Sequence, residues 1–444
     1  MKTEPLPVVA VTVLLVLSGI GGFAQVGGGT TGASAAASAQ AADTYVVEQG
    51  EFCQPIEPLS TDGTVESFYD YRNHETHPDT DSEDRQYSSY GTTHLQEDDT
   101  SLLFLHEGTD GMSLVMIHDQ VHGDTEGGVV TFDLVGLPDE SEWVVQDDLY
   151  DGPSNMAEWD EGDGWASASW IWRDARTDGG AIQGGLNDEF AVTIQPAFNE
   201  DAALYGDEDL HDPDFYEDGE IIDWQVLSGD SDEPDRTEIP SLDEDVTIRT
   251  GTCDGPSVSY DRTDDGVTAS VTDAAPDDHV SLEPAVGSND SVRYVQVAIT
   301  DLDGDASYAF GTDQPGGPAD SPSGGEALSH LSVDGEPTDV SGTVAFSIDA
   351  ELLDEHDLDP EHVALYEADG SDWNETETNV TGDSGGAYQF EASVSSMDGF
   401  AVAPQEAEPR EEGITALPAP GFEAGLAIGA IVLVALLWAN RRRT

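Results

Sequence analysis

Gly128-Val129-Val130-Thr131-Phe132-Asp133-Leu134-Val135-Gly136-Leu137 decides the fold class. Val130, Phe132 and Leu134 alternate with Thr131 and Asp133, a period of two that puts apolar side chains on one face of an extended chain. The texture recurs on both sides: Ser113–His118, Glu142–Gln146, Ala166–Arg173, Phe190–Pro196 and Ile221–Val226 read as strands, with Gly, Pro and Asp clusters between them. Beyond them come Gly266–Thr272, Val292–Thr300, Thr343–Asp349, Val363–Glu367, Ala387–Val394 and Phe400–Ala403, with a short helix at Ala350–Glu355. Many short strands at this spacing predict a β-sandwich or barrel. The expected fold is all-β, two β-sandwich-like domains at residues 42–254 and 255–404 between an N-terminal signal peptide and a C-terminal helix.

The chain carries 93 acidic and 13 basic residues, a formal charge of −80. That sign excludes a nucleic-acid partner, which needs a basic face. Chains this acidic are either disordered tails or folded proteins of concentrated brine, and disorder implies few aromatic residues. With 8 Trp, 13 Tyr and 13 Phe in alternating patterns, the chain reads as a folded halophilic protein. Salt screens its self-repulsion. So many carboxylates also strip any Asp/Glu pair of meaning as a catalytic signal. The stretch from Asp201 to Glu220 holds nine acids and is expected to be a solvated loop.

The two ends read as export and anchoring signals. Lys2 precedes an apolar run from Val8 to Ile20, short for a membrane span and suited to a secretory signal. Cleavage after Ala24 or Ala41 fits, and an uncleaved anchor is the alternative; residues 1–41 are taken as signal and Gly/Ser/Ala linker. At the other end, a Pro/Glu-rich stalk at 405–419 leads to Pro420-Gly421-Phe422, an apolar run from Ala424 to Ala439 and Arg441-Arg442-Arg443. A basic cluster after an apolar run stays on the cytoplasmic side, so the body faces outward.

Motif, apolar helix and basic stop in that order over 420–444 resemble the PGF-CTERM sorting signal of archaeal surface proteins. The resemblance implies that an archaeosortase recognises Pro420, Gly421 and Phe422, removes the helix and links the new end to a membrane lipid. A plain transmembrane helix is the alternative; both hold the protein on the membrane. Residues 341–404 resemble the PGF-pre-PGF domain that precedes this signal. The matching residues are Gly342-Thr343-Val344-Ala345-Phe346, Leu358-Asp359-Pro360-Glu361-His362-Val363, Leu365-Tyr366, Trp373 and Phe400-Ala401-Val402. The acidic insertion Asp354-Glu355-His356-Asp357 departs from the pattern. The family implies a haloarchaeal cell-surface location and transfers no catalytic role.

Cys53 and Cys253 are the only cysteines, in a part expected outside the cell, where oxidation is the rule. A bond between them closes the first domain into one loop; free or intermolecular thiols are the alternative. Asn289, Asn374 and Asn379 each begin an Asn-X-Ser/Thr sequon and are candidate N-glycosylation sites. Six of the 8 tryptophans fall in the first domain: Trp143, Trp159, Trp165, Trp170, Trp172 and Trp224. They are read as core first and as a sugar-binding platform second.

No complete catalytic constellation emerges, so no catalytic residue is assigned. Gly382-Asp383-Ser384-Gly385-Gly386 matches a serine-protease nucleophile loop but lacks the histidine motif such an enzyme needs, and Ala387 follows it. It is expected to be a turn between strands. His74-Glu75-Thr76-His77 is one residue short of the zinc-helix spacing, and His118 with His122 spans a strand end and a Gly. Asp301, Asp303 and Asp305 around Gly304 form the one candidate metal site, with calcium as its ion; no other cofactor is called for. The expected function is a non-enzymatic, membrane-anchored surface glycoprotein acting as an envelope (S-layer-associated) or adhesion module. The alternatives are an extracellular module for carbohydrate, peptide or calcium, and third a hydrolase with unrecognised residues.

Overall fold

The computed structural model describes residues 44–71, 88–124, 126–147, 157–205, 219–263, 266–276, 278–285, 287–289, 291–312, 321–322, 325–384 and 386–405. The predicted signal peptide, residues 406–419 of the stalk, the Pro420-Gly421-Phe422 motif, the apolar run from Ala424 to Ala439 and His74-Glu75-Thr76-His77 lie outside these. No helix among the described residues is long and apolar enough to cross a membrane.

The protein is all-β, and the described strands form four sheets that pack as two sandwiches. In the first sandwich, one sheet runs Phe52–Ile56, Tyr45–Gln49, Val246–Thr250, Ala191–Phe198, Gly128–Val135, Trp165–Trp172, Ala157–Gly162. The facing sheet runs Asp235–Glu238, Asp223–Ser228, Thr100–Gly108, Gly111–His118, Asp178–Gln183, Glu142–Gln146, with Leu59–Ser60 beside Thr100–Gly108. In chain order the first and last strands of this sandwich, Tyr45–Gln49 and Val246–Thr250, pair antiparallel in the first of these sheets, Tyr45 opposite Thr250, so the chain closes on itself where it leaves for the second sandwich.

The alternation in Gly128–Val135 sends Val130, Phe132 and Leu134 into the inter-sheet core with Trp170, Trp172 and Trp224. Full burial of side chains this large contributes roughly 1.5–3 kcal/mol each. The opposite face is covered as well. The predicted solvated loop begins by laying Ala202 and Leu204 on Val129 and Ile171. Thr131 there shares a hydrogen bond with Ser169 (2.9 Å) and accepts one from the Ala203 amide (3.0 Å).

In the second sandwich, one sheet runs Ser257–Thr263, Gly266–Ala274, Gly304–Gly311, Ser329–Glu336, Phe400–Pro404, Val363–Asp369, Asp372–Glu375. The other runs Val280–Leu282, Val292–Ile299, Gly342–Asp349, Ala387–Val394, Thr378–Ser384, with Gly287–Asn289 beside Val292–Ile299. Val344, Phe346 and Ile348 point into its core, and the helix forms over Ala350–Glu355.

The second sandwich's core reaches into the first. Val135 and Ala191 of the first sandwich pack into the second sandwich's cluster beside Tyr260. The Tyr260 amide donates to Thr193 Oγ1 at 2.9 Å. Gly136 and Gly164 sit at the closest approaches, both at positive φ (82° and 71°). A Cβ on Gly136 would stand 2.4 Å from the Tyr260 ring, and one on Gly164 would stand 2.3 Å from the Ala285 methyl. Asp163-Gly164 is the two-residue turn of the hairpin that pairs Gly162 with Trp165, the chemistry such a turn favours. A second fastening lies on the same boundary. Arg249, 4% exposed, donates Nε to Glu48 at 2.9 Å and Nη groups to the Thr250 and Thr252 carbonyls at 3.0 Å. Glu48 also accepts from Ser257 Oγ, the first residue of the second sandwich's opening strand. Next to it Cys53 and Cys253 form a disulfide that closes a 200-residue separation.

Candidate functional site

The tryptophans divide into two groups. Trp170, Trp172 and Trp224 are fully buried. They stack with Phe132, Phe198 and His118 between the sheets, Trp170 edge-on to Phe132 at 5.9 Å and Trp224 to Phe198 at 5.3 Å. Trp172 Nε1 donates to Asp119 at 2.9 Å. These three are core. Trp143, Trp159 and Trp165 are half-buried. Trp143 meets Trp159 at 4.7 Å and Trp159 meets Trp170 at 5.4 Å, a file of edge-on rings from the core to the sandwich mouth.

At that mouth the edge strands Glu142–Gln146 and Ala157–Gly162 end the two facing sheets. The sandwich is open there, and a cleft of about 180 Å³ lies between Trp143, Trp165 and the segment from Leu137 to Glu142. A smaller recess shares Leu137, Asp139, Asp163 and Gly164 with it and continues to Glu283, Arg293 and Tyr294 of the second sandwich. The cleft is walled by the first sandwich alone, and the recess beside it reaches the junction, with walls from both sandwiches.

Its electrostatics are unusual even for this chain. Glu283 is only 7% exposed, and no described residue donates a hydrogen bond to its carboxylate. Its backbone amide is held by Tyr260 Oη at 2.8 Å, which fixes where the side chain stands. Burial, with the Asp139 charge second, holds the Glu283 carboxyl well above the usual carboxylate range. Asp139 is also raised, chiefly by burial; Arg293 opposes the shift and Asp163 and Glu140 add to it. Arg293 stands 3.8 Å from Asp139 and 3.9 Å from Asp163, too far for a hydrogen bond to either. Arg262 lies over the outer side of the site, its guanidinium carbon 3.5 Å from the Trp165 ring centre.

The other sequence candidates fall elsewhere. Asp301 accepts from the Ser341 amide at 2.7 Å and Asp305 from the Asp273 amide at 3.2 Å, while Asp303 lies exposed before the strand Gly304–Gly311. Among the described residues no three His, Cys, Asp or Glu side chains are placed to hold a metal ion. Ser384 pairs with Ala387 at the end of a hairpin, the turn expected there. His118 is buried in the aromatic core and His122 is exposed on the following turn, so the structure does not bring them together. Asn374 and Asn379 are exposed on the strands Asp372–Glu375 and Thr378–Ser384, which are edge strands of the two facing sheets, and Asn289 ends the strand Gly287–Asn289. Both edge strands gain from a bulky group that blocks pairing with another chain.

No protein-family model matches the chain, and no curated protein or solved structure is similar enough to carry a comparison. The likenesses at 341–404 and 420–444 rest on the residues quoted for them.

Sequence reasoning missed Asp139, Asp163, Glu283 and Arg293. They are scattered among 93 acidic residues, and only the tertiary fold singles them out. The one local signal was Asp163-Gly164, a hairpin turn between two tryptophans.

Proposed function

We propose that this protein is a non-enzymatic, membrane-held surface glycoprotein of a halophilic cell, an envelope or contact module that carries its first sandwich outward on its second. One observation carries the reading beyond the end signals: the two sandwiches are joined as a stiff unit. A shared core at Val135, Ala191 and Tyr260, the Glu48–Arg249–Ser257 fastening and the Cys53–Cys253 bond all lie on one boundary. Such a junction suits a spacer that must hold a surface at a set distance, whereas domains meant to move meet through small, polar contacts. The Pro420-Gly421-Phe422 signal supplies the anchor, an archaeosortase its processing enzyme and a membrane lipid the mature attachment. Proteins of the surface lattice are the proposed neighbours.

The test is crosslinking mass spectrometry on intact cells in native salt. A carboxylate-reactive linker is required, because Lys2 is the only lysine. Crosslinks from the first sandwich to the lattice protein are expected. Crosslinks confined to cytoplasmic proteins, or hydrolysis of a peptide or glycoside by the purified protein, overturn the reading. A second reading, ligand binding by the first sandwich, is favoured by the junction cleft between Trp143 and Trp165.

A further inference from the structure

Two carboxylates, Asp139 and Asp163, line the cleft, and a third, Glu283, borders the recess that continues from it; among the described residues none donates a hydrogen bond to any of the three. The lone guanidinium between them reaches the two aspartates at ion-pair distance only and hydrogen-bonds to neither. Arg293 stays 3.8 Å and 3.9 Å from the two aspartates, and its Nε is buried with no hydrogen-bond partner among the described residues. Glu283 is 93% removed from solvent by its 7% exposure, yet it borders the recess. A buried carboxylate is tolerated when it meets a cation or a donor, and otherwise weighs against the fold. Three acids against one guanidinium leave the site short of positive charge and of N–H groups.

From this geometry we infer that the cleft binds an alkylammonium group. A protonated amine brings one positive charge and three freely rotating N–H donors on a compact head, donors that the fixed fork of Arg293 does not deliver to these carboxylates. Trp143 and Trp165 line the approach, apolar enough for the alkyl stem and electron-rich enough to favour a cation. Trp165 already holds one cation, Arg262, over its ring. A neutral sugar offers donors but leaves the charge uncompensated. A metal ion is poorly served, since no three described acidic side chains are placed to ligate one. The amine is either a free small molecule or a lysine of another protein. A second copy of this chain supplies no lysine beyond Lys2.

The inference deepens the ligand-binding reading of the cleft and is independent of how the protein is anchored. The test uses the full chain, recovered from membranes and kept in its native salt. Titrations with n-butylammonium chloride, the tripeptide Gly-Lys-Gly and glucose are followed by calorimetry at constant ionic strength. Saturable binding of butylammonium is expected, weakened at least about tenfold in Glu283→Gln, about 1.4 kcal/mol. The same loss is expected in Asp163→Asn, a more exposed position at which a change of charge leaves the packing alone. Tighter binding of Gly-Lys-Gly than of butylammonium identifies a protein lysine as the natural occupant, and the reverse identifies a free amine; both support the site. Binding unchanged in both variants overturns the inference. Saturation by glucose alone overturns it while leaving ligand binding intact, and no saturation by any of the three removes both.

Discussion

His118 shows how strongly position fixes chemistry at the scale of one residue. Its Nδ1 lies 3.0 Å from Ser101 Oγ, its ring stacks on Trp172 at 5.6 Å, and burial lowers its pKa to about 3 from 6.5. The folded state keeps the ring neutral, while the unfolded chain takes up a proton below about pH 6.5. Stability from this group is therefore full above pH 6.5 and is lost as pH falls toward 3. By pH 4.5 the loss reaches about 3 kcal/mol at 1.36 kcal/mol per unit. Denaturant unfolding of wild type and His118→Leu at pH 7 and pH 4.5 is expected to show a wild-type loss that the variant lacks. Glu283 has the opposite sign. Its raised pKa means the folded state disfavours the ionised form, so its burden is absent below the unfolded pKa and grows as pH rises through the folded one. Glu283→Gln is expected to stabilise the protein by about 1–3 kcal/mol at pH 7 and by little at pH 4. An equal gain at both values would mean that Glu283 has the same pKa folded and unfolded, against the upward shift that burial imposes.

At the scale of elements, the junction sets the mechanical character of the molecule. The Cys53–Cys253 bond joins the strand Phe52–Ile56 to the linker after Val246–Thr250. A loop of this length removes roughly 5 kcal/mol of chain entropy from the unfolded state. The double variant Cys53→Ser/Cys253→Ser is expected to lose about that much in equilibrium unfolding at native salt, with the native fold retained. The strands legible in the sequence are those with one face toward a core and one toward water or polar side chains, such as Gly342–Asp349, where Val344, Phe346 and Ile348 alternate with half-buried residues. Thr100–Gly108 was missed for a physical reason. Leu103 and Leu105 face the inter-sheet core while Leu102 and Phe104 pack under the helix Val65–Tyr69, so both faces are buried and the period of two vanishes. The edge strands Ala157–Gly162 and Asp235–Glu238 are short and acidic and show too little apolar alternation to mark them as strands. The recess beside the cleft was out of reach because its four charged residues come from four separate segments, and only the packing of one sandwich on the other brings them to one place.

For the whole molecule, the charge of −80 decides the conditions under which the fold exists. The screening length is about 3 Å at 1 M salt and about 10 Å at 0.1 M, so dilution lets carboxylates on neighbouring strands feel one another. Dialysis from native salt to about 0.1 M is expected to lower the unfolding midpoint steeply, and pH 4.5 at low salt to restore part of it by neutralising carboxylates; circular dichroism reads both. The same surface chemistry offers a handle on the central claim, that the folded body stands outside the cell. Intact cells in native salt can be treated with a carbodiimide and a membrane-impermeant sulfonated amine, and the labelled peptides mapped by mass spectrometry. Exposed acids such as Asp303, Glu355 and Glu377 should be labelled on intact cells as fully as after lysis. Labelling of these positions only after lysis would place the body inside and contradict the export, anchoring and surface role together.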